Sequence, residues 1–222
     1  MCGFAGEVAW GRQPDTCAVE RIAAQLARRG PDGHGSWSSG SITLAHRRLK
    51  VIDLSERGAQ PLIDSALGIA LVFNGCIYNY RELRAELARE GYTFFSTSDS
   101  EVIAKAYHRW GIACVERFFG MFAFALFERD CDRLVLARDR LGIKPLYLAE
   151  VDGGLRFSST LPSLLAGGGV DTRLDPVALH HYFSWHAVVP PPMTVLRGVR
   201  KLPPATVLVI EQNGARKQTQ YW

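Results

Sequence analysis

The chain has 222 residues, 47% hydrophobic and 22% charged, with a formal net charge of +4 from 26 Lys and Arg against 22 Asp and Glu. That balance belongs to a globular chain able to bury about 70% of its unfolded surface without a disulfide or metal staple, and it excludes a disordered or collagen-like protein. The basic residues form no tract, and the longest apolar run, Met121–Phe127, falls far short of the roughly 20 residues a bilayer crossing needs, so neither a nucleic-acid nor a membrane partner is expected.

In chain order, the N-terminal MCGFAGEVAWG has neither the basic flank nor the apolar core of a secretory signal, and a cytoplasmic protein is expected. Gly3–Ala9 reads as a strand. Residues 16–29 carry Val19, Ile22 and Leu26 at helical spacing and stop at Gly30-Pro31. Strands follow at Ile42–Arg48 and Ile69–Phe73. Asn79 with Glu82, then Ser98 with Glu101, have the spacing of capping boxes, each opening a helix that ends at Gly91 or Gly111. Met121–Phe127, MFAFALF, is apolar on both faces, as befits a strand covered on both sides. Further strands are expected at Leu134–Arg138, Leu146–Ala149, Leu155–Ser158 and Thr206–Ile210, with Asp152-Gly153 as a hairpin turn. Asp175-Pro176 opens a last helix carrying Leu179, Tyr182 and Phe183. Hairpin-linked strands with a doubly buried centre and flanking helices predict an α+β fold, a four-layer α/β/β/α sandwich of antiparallel sheets. The domain edge is expected near Gln212, giving a domain over 1–212 and the start of a linker over 213–222.

Five cysteines at 2, 17, 76, 114 and 131 make an odd number without a C-x-x-C pair, and the six histidines lack H-E-x-x-H or H-x-x-x-H spacing. No disulfide framework and no metal site is expected. Cys2 has a different potential. If Met1 is removed, one residue carries both a thiol and an α-amine of pKa about 7.7–8.0, so a nucleophile and its base come as a unit. Taken alone, a cysteine at position 2 is more often inert.

Its company alters that. RRGPDGHG (28–35), LAHRRLKVIDL (44–54), FNGCIYNYREL (73–83), TSDSEV (97–102), GMFAFALFE (120–128) and ARDRLGIKPLY (137–147) follow MCGFAGEV in order. Together these segments resemble the glutaminase domain of class II glutamine amidotransferases, closest to the asparagine synthetase branch, over the chain to about residue 210. The resemblance implies the N-terminal nucleophile hydrolase fold. It implies Cys2 as the nucleophile that attacks the side-chain amide of glutamine, giving a γ-glutamyl thioester and ammonia before water releases glutamate. It implies Asn74 and Gly75 as the oxyanion hole, Arg48 on the α-carboxylate, Asp99 on the α-amino group, and the backbone of Leu49 and Val51 along the substrate. Chemically the set is coherent: a guanidinium fork suits a carboxylate, and two donors converging on one oxygen stabilise a developing oxyanion. For each residue taken singly a plain alternative stands beside that role: a turn for Asn74-Gly75, a solvated strand end for Arg48, a favourable first-turn acid for Asp99.

Two departures from the family pattern bear on function. Cys76 stands where this branch usually has a Glu that helps bind the amino group, leaving Asp99 more of that task. The Ser-Gly-Gly-x-Asp phosphate loop of the synthetase half is absent, as are P-loop and Rossmann fingerprints. The expectation is therefore an ammonia-generating half with no cofactor of its own, serving a C-terminal synthetase domain that would use ATP and Mg to activate a carboxylate. Glutamine and that domain are the expected partners, and a homodimer is left open. LHHYFSWHAVVPPP (179–192), with Cys76, resembles the N-acetylglutaminylglutamine amide synthase subgroup. The alternatives are an amidotransferase for another acceptor, or a non-catalytic glutaminase-like binding module.

Overall fold

The MFAFALF run organises the molecule. In a computed structural model describing residues 1–222, its alternate side chains enter two different cores: Phe122, Phe124 and Leu126 face one, Ala123, Ala125 and Phe127 the other. A strand apolar on both faces cannot lie at a surface, so layers must cover it on each side. The elements that do so are, in order, β1 (Gly3–Ala9), α1 (Thr16–Gln25), β2 (Gly33–Ser39), β3 (Ile42–Arg48), β4 (Leu62–Asp64) and β5 (Ile69–Ile77). There follow α2 (Tyr80–Arg89), α3 (Asp99–Trp110), β6 (Gly120–Glu128), β7 (Arg133–Arg138), β8 (Tyr147–Val151) and β9 (Gly154–Ser158). The chain closes with α4 (Leu161–Ala166), α5 (Pro176–Ser184), β10 (Arg200–Lys201), β11 (Thr206–Ile210) and β12 (Arg216–Gln220).

Two six-stranded sheets result, ordered β10-β8-β9-β1-β3-β2 and β12-β11-β7-β6-β5-β4, with antiparallel pairing throughout. Phe4, Leu44, Ala125, Leu136 and Phe157 belong to the core between the sheets. Outside the first sheet, Val19, Ile22 and Leu26 of the α1 segment pack with Leu164 of α4 against Ala5 and Ala45. Outside the second, Leu83 and Leu87 of α2 and Val102, Ile103 and Ala106 of α3 meet Phe73, Phe122 and Phe124. Helix, sheet, sheet, helix is the four-layer order expected from the pattern. The β8–β9 hairpin turns at Asp152-Gly153, with Gly153 at φ +59°.

Some local expectations change. Asn79 precedes α2 but makes no side-chain cap. Its amide instead donates to Arg117 O and accepts from Phe119 N, each at 3.0 Å, tying α2 to the segment before β6. At α3, Ser98 Oγ does cap Glu101 N at 3.3 Å, but the Glu101 carboxylate is taken by Phe95 N and by Ser96 N and Oγ rather than closing the box. The helix expected over 16–29 stops at Gln25 and continues as turns, bringing Arg29 back to the N-terminus. The expected domain edge near Gln212 also moves. Arg216–Gln220 pairs with β11 along its full length, and Tyr221 reaches back to Ala205 O and Arg138 O, so this stretch is sheet rather than the start of a linker. Its side chains are all exposed, which is why no apolar alternation announced it.

Candidate active site

Cys2 is the residue before β1, a central strand of the first sheet, and its sulfur is fixed by the chain leaving β3. Leu49 N donates to Cys2 Sγ at 3.3 Å, and Sγ donates to Leu49 O at 3.5 Å. Burial pushes the thiol up, while the Leu49 N–H, the N-terminal charge and Arg48 pull it down. With Met1 attached, the Cys2 nitrogen is an amide and no base. Arg29 Nε donates to Cys2 O at 3.1 Å, clamping the residue from the other side.

Arg48 ends β3 and is 7% exposed. The neighbouring Arg47 faces the opposite side, donating to Ala23 O of α1, as strand alternation requires. Arg48 Nη1 donates to Ser55 O at 2.8 Å and Nη2 to Asp53 O at 2.5 Å, so two of its five N–H bonds hold the guanidinium and the others remain for a ligand. That loop is itself ordered by Asp53, whose carboxylate accepts from Ser55 N and Oγ and from Thr97 N. Burial raises the Asp53 carboxyl, but these donors outweigh it and hold it at about 2, so Asp53 stays ionised and engaged. A Cβ on Gly58 would collide with Arg48 Nη2 and Asp53, so glycine makes room for the fork.

β5 supplies the facing wall. Phe122 of β6 gives its N–H to Asp139 Oδ2 and accepts from Asp139 N, so the Gly75–Phe122 pair is the non-hydrogen-bonded kind and the main-chain groups of Gly75 point away from β6. The same parity holds on either side: Phe73 N donates to Gln60 Oε1 at 2.6 Å, and Ile77 N donates to Asp99 Oδ2 at 3.1 Å. Between those two occupied donors lies Gly75 N–H. The expected strand end at Asn74-Gly75 is therefore the interior of a strand running to Ile77, and neither the end nor a turn. The glycine is needed because a Cβ there would strike Met121 O and the Phe122 backbone. Asn74 is 1% exposed, and its side-chain nitrogen Nδ2 has no partner. A buried donor left unpaired costs about 1–3 kcal/mol, a cost that an acceptor bound in the cavity Asn74 lines would recover.

Asp99 is the first residue of α3 and is 6% exposed. Burial raises its carboxyl to about 6 against the N–H bonds that lower it, and no cation lies within ion-pair distance.

One cavity of about 150 Å³ is lined by all the residues singled out from sequence: Cys2, Arg48, Leu49, Val51, Asn74, Gly75 and Asp99. Val51, 71% exposed, sits on its rim. Cys76 also lines it, with a thiol raised by burial and by Asp99. Gln60, Gly58, Asp53 and Lys144 line it too, and sequence reasoning did not single them out. Arg29, within RRGPDGHG, is likewise not distinguished by sequence, and Gln60 carries no sequence signal at all. The cavity thus gathers a thiol, an unpartnered buried amide, a free backbone N–H, a cationic fork and a carboxylate without an ion-pair partner. A cation and an anion in one small cavity are the complement of a zwitterionic ligand.

Residues 1–222 match the family described as the glutamine amidotransferase domain. Glutamine-hydrolysing asparagine synthetase 3 of Bacillus subtilis is 32% identical over 226 residues, covering 100% of this chain and 36% of that protein. A putative glutamine-hydrolysing asparagine synthetase of Mycobacterium tuberculosis is 39% identical over 222 residues, covering 91% of this chain and 34% of that protein. The chain spans about a third of the length of these curated relatives. Among solved structures, glutamine phosphoribosylpyrophosphate amidotransferase from B. subtilis superposes with a TM-score of 0.75 at 19% identity, over 100% of this chain and 49% of that one. At that identity the likeness concerns the fold. No helix is long and apolar enough to cross a membrane.

Proposed function

Because this chain belongs to the glutamine amidotransferase domain family, we propose that it hydrolyses the side-chain amide of glutamine through a Cys2 thioester and delivers the ammonia to an ATP-dependent, amide-forming domain outside these residues. The observation that carries the reading is the convergence of Cys2 Sγ, the unpartnered Asn74 Nδ2, the Arg48 guanidinium and the Asp99 carboxylate on one cavity.

The chemistry follows from those groups. Removal of Met1 turns the Cys2 amide nitrogen into an amine, which takes the thiol proton. The thiolate attacks the glutamine Cδ, and the carbonyl electrons move onto oxygen, where Asn74 Nδ2 and Gly75 N–H donate to it. Such donors stabilise the charge only as it develops, so they act on the transition state. The tetrahedral adduct collapses, its C–N bond breaks, and the amine returns the proton to the leaving nitrogen, which departs as ammonia. Water then adds to the thioester with the amine as base, releasing glutamate and restoring the thiol. Arg48 and Asp99 hold the two α-charges, and their distance from the sulfur selects the amide of glutamine over a shorter one.

Support for a separate acceptor domain comes from length: the relatives named as asparagine synthetases are roughly three times as long as this chain. The acceptor under this reading is a carboxylate activated by ATP with Mg. We also place the reaction in the cytoplasm, where five unpaired cysteines stay reduced. The deciding experiment compares glutamate release from glutamine by the wild type and by Cys2→Ala, with intact mass reporting loss of Met1. Abolition in the variant is expected; equal rates would remove Cys2 from the mechanism.

A further inference from the structure

Lys144 has no part in the steps above, yet it is 2% exposed, lines the same cavity as Cys2, and forms no ion pair. Its ammonium rests only against the Met1 thioether, a weak acceptor. An unpaired buried charge is expensive, and although Met1 is the ammonium's one contact, the backbone that carries Lys144 is fixed independently of it. Asp139, itself 1% exposed, accepts from the backbone N–H groups of Phe122, Leu141, Ile143 and Lys144. Arg138 Nε donates to Lys144 O at 2.8 Å. The loop after β7 is thereby locked, with Lys144 delivered beside the residue whose carbonyl carbon is bonded to the Cys2 nitrogen.

We propose that Lys144 is a positioning residue for the nucleophile: once Met1 has left, its unpaired ammonium stands beside Cys2 and keeps the liberated α-amine neutral, ready to accept the thiol proton, at neutral pH. The inference rests on the reading of Cys2 as the nucleophile and deepens it. A like charge nearby disfavours the protonated amine and so keeps the base free at neutral pH, while the same charge favours the thiolate and offsets the amine's lost basicity in the proton transfer itself. Other charges around the site set the background. Arg29, bonded to Cys2 O, adds to the positive field from the α1 side; Arg48 does so from β3 but is turned to the carbonyls of Asp53 and Ser55. Asp99 opposes it from α3, Asp139 lies behind Lys144 with its oxygens occupied, and Cys76 of β5 contributes a thiol kept neutral by burial. Burial also lowers the Lys144 ammonium from its usual value.

The test is the pH profile of kcat for glutamine hydrolysis by the full chain at saturating glutamine, where bound substrate suppresses the titration of Asp99. In Lys144→Gln the acid limb is expected to move up by roughly one pH unit, whereas Lys144→Arg stays near the wild type. An unchanged acid limb in Lys144→Gln overturns the proposal. A second measurement needs no variant: the 15N shift of the Cys2 amine in wild-type protein labelled with 15N-cysteine. Titration below the ordinary α-amine range of about 7.7–8.0 is expected, and titration within or above it overturns the proposal. Retained activity in Cys2→Ala would instead sink the underlying functional reading, so the two failures are distinct.

Discussion

At the scale of single residues the cavity is a set of groups left incomplete by the free protein. Asn74 Nδ2 lacks an acceptor and Asp99 lacks a cation. Under the proposed function Asn74→Ala is expected to lower kcat by about 100- to 1,000-fold, equivalent to about 2.7–4 kcal/mol, with KM little changed, because the bond assigned to it forms with the developing oxyanion. Asp99 makes a different prediction. Its carboxyl titrates at about 6 in the free protein, and only the ionised form pairs with an ammonium. As pH falls through that value the acid becomes neutral, so KM for glutamine should rise about tenfold per pH unit, while Asp99→Asn should have a high KM that no longer follows pH in this range. A KM flat from pH 7 to 5 in the wild type would remove Asp99 from substrate binding. Most of these residues could be singled out from sequence because short motifs carry them. Gln60 and Lys144 could not, since their parts depend on which backbone N–H or which residue they meet across the fold.

At the scale of elements, β5 and α3 do the positioning. The β5 parity that leaves Gly75 N–H free between two occupied neighbours depends on close contact with β6. Gly75→Ala would drive a methyl into the Met121 carbonyl and should both lower Tm and displace the oxyanion donors, with kcat falling more than KM rises. Ser98 caps α3 immediately before Asp99. Loss of the cap in Ser98→Ala is expected to cost about 1 kcal/mol, or roughly 2–4 °C in Tm by thermal denaturation, with a raised KM as Asp99 loses its anchor. Helix starts were legible where a side chain caps its own helix, as at Ser98. Asn79 shows the limit: the same spacing was present, but Arg117 and Phe119 offered partners across the fold and took the side chain.

At the scale of the whole molecule, two sheets bring strands distant in sequence to one end of the sandwich, where residues 2, 48, 74 and 99 meet. β12 covers β11 as the outermost strand of the second sheet, and Tyr221 ties it back to the β7 end that carries Asp139. Deleting residues 213–222 should therefore destabilise the domain and expose the β11 edge, read as a lower Tm and concentration-dependent aggregation. An unchanged Tm would show that the strand adds nothing to the sheet.

The amino-acid sequence alone pointed to the layer order, because a strand apolar on both faces must be covered on each side and its hairpin-linked neighbours and flanking helices supply the covers, and it singled out residues that line one cavity, because ordered motifs carry them. Tertiary structure alone decided that β5 runs through Asn74-Gly75, that an all-polar segment becomes β12, and that a buried ammonium comes to rest against Met1 in the cavity that Cys2 lines. These outcomes turn on hydrogen-bond parity, edge pairing and long-range burial. Each is a property of pairs of residues far apart in the chain, and no local pattern encodes it.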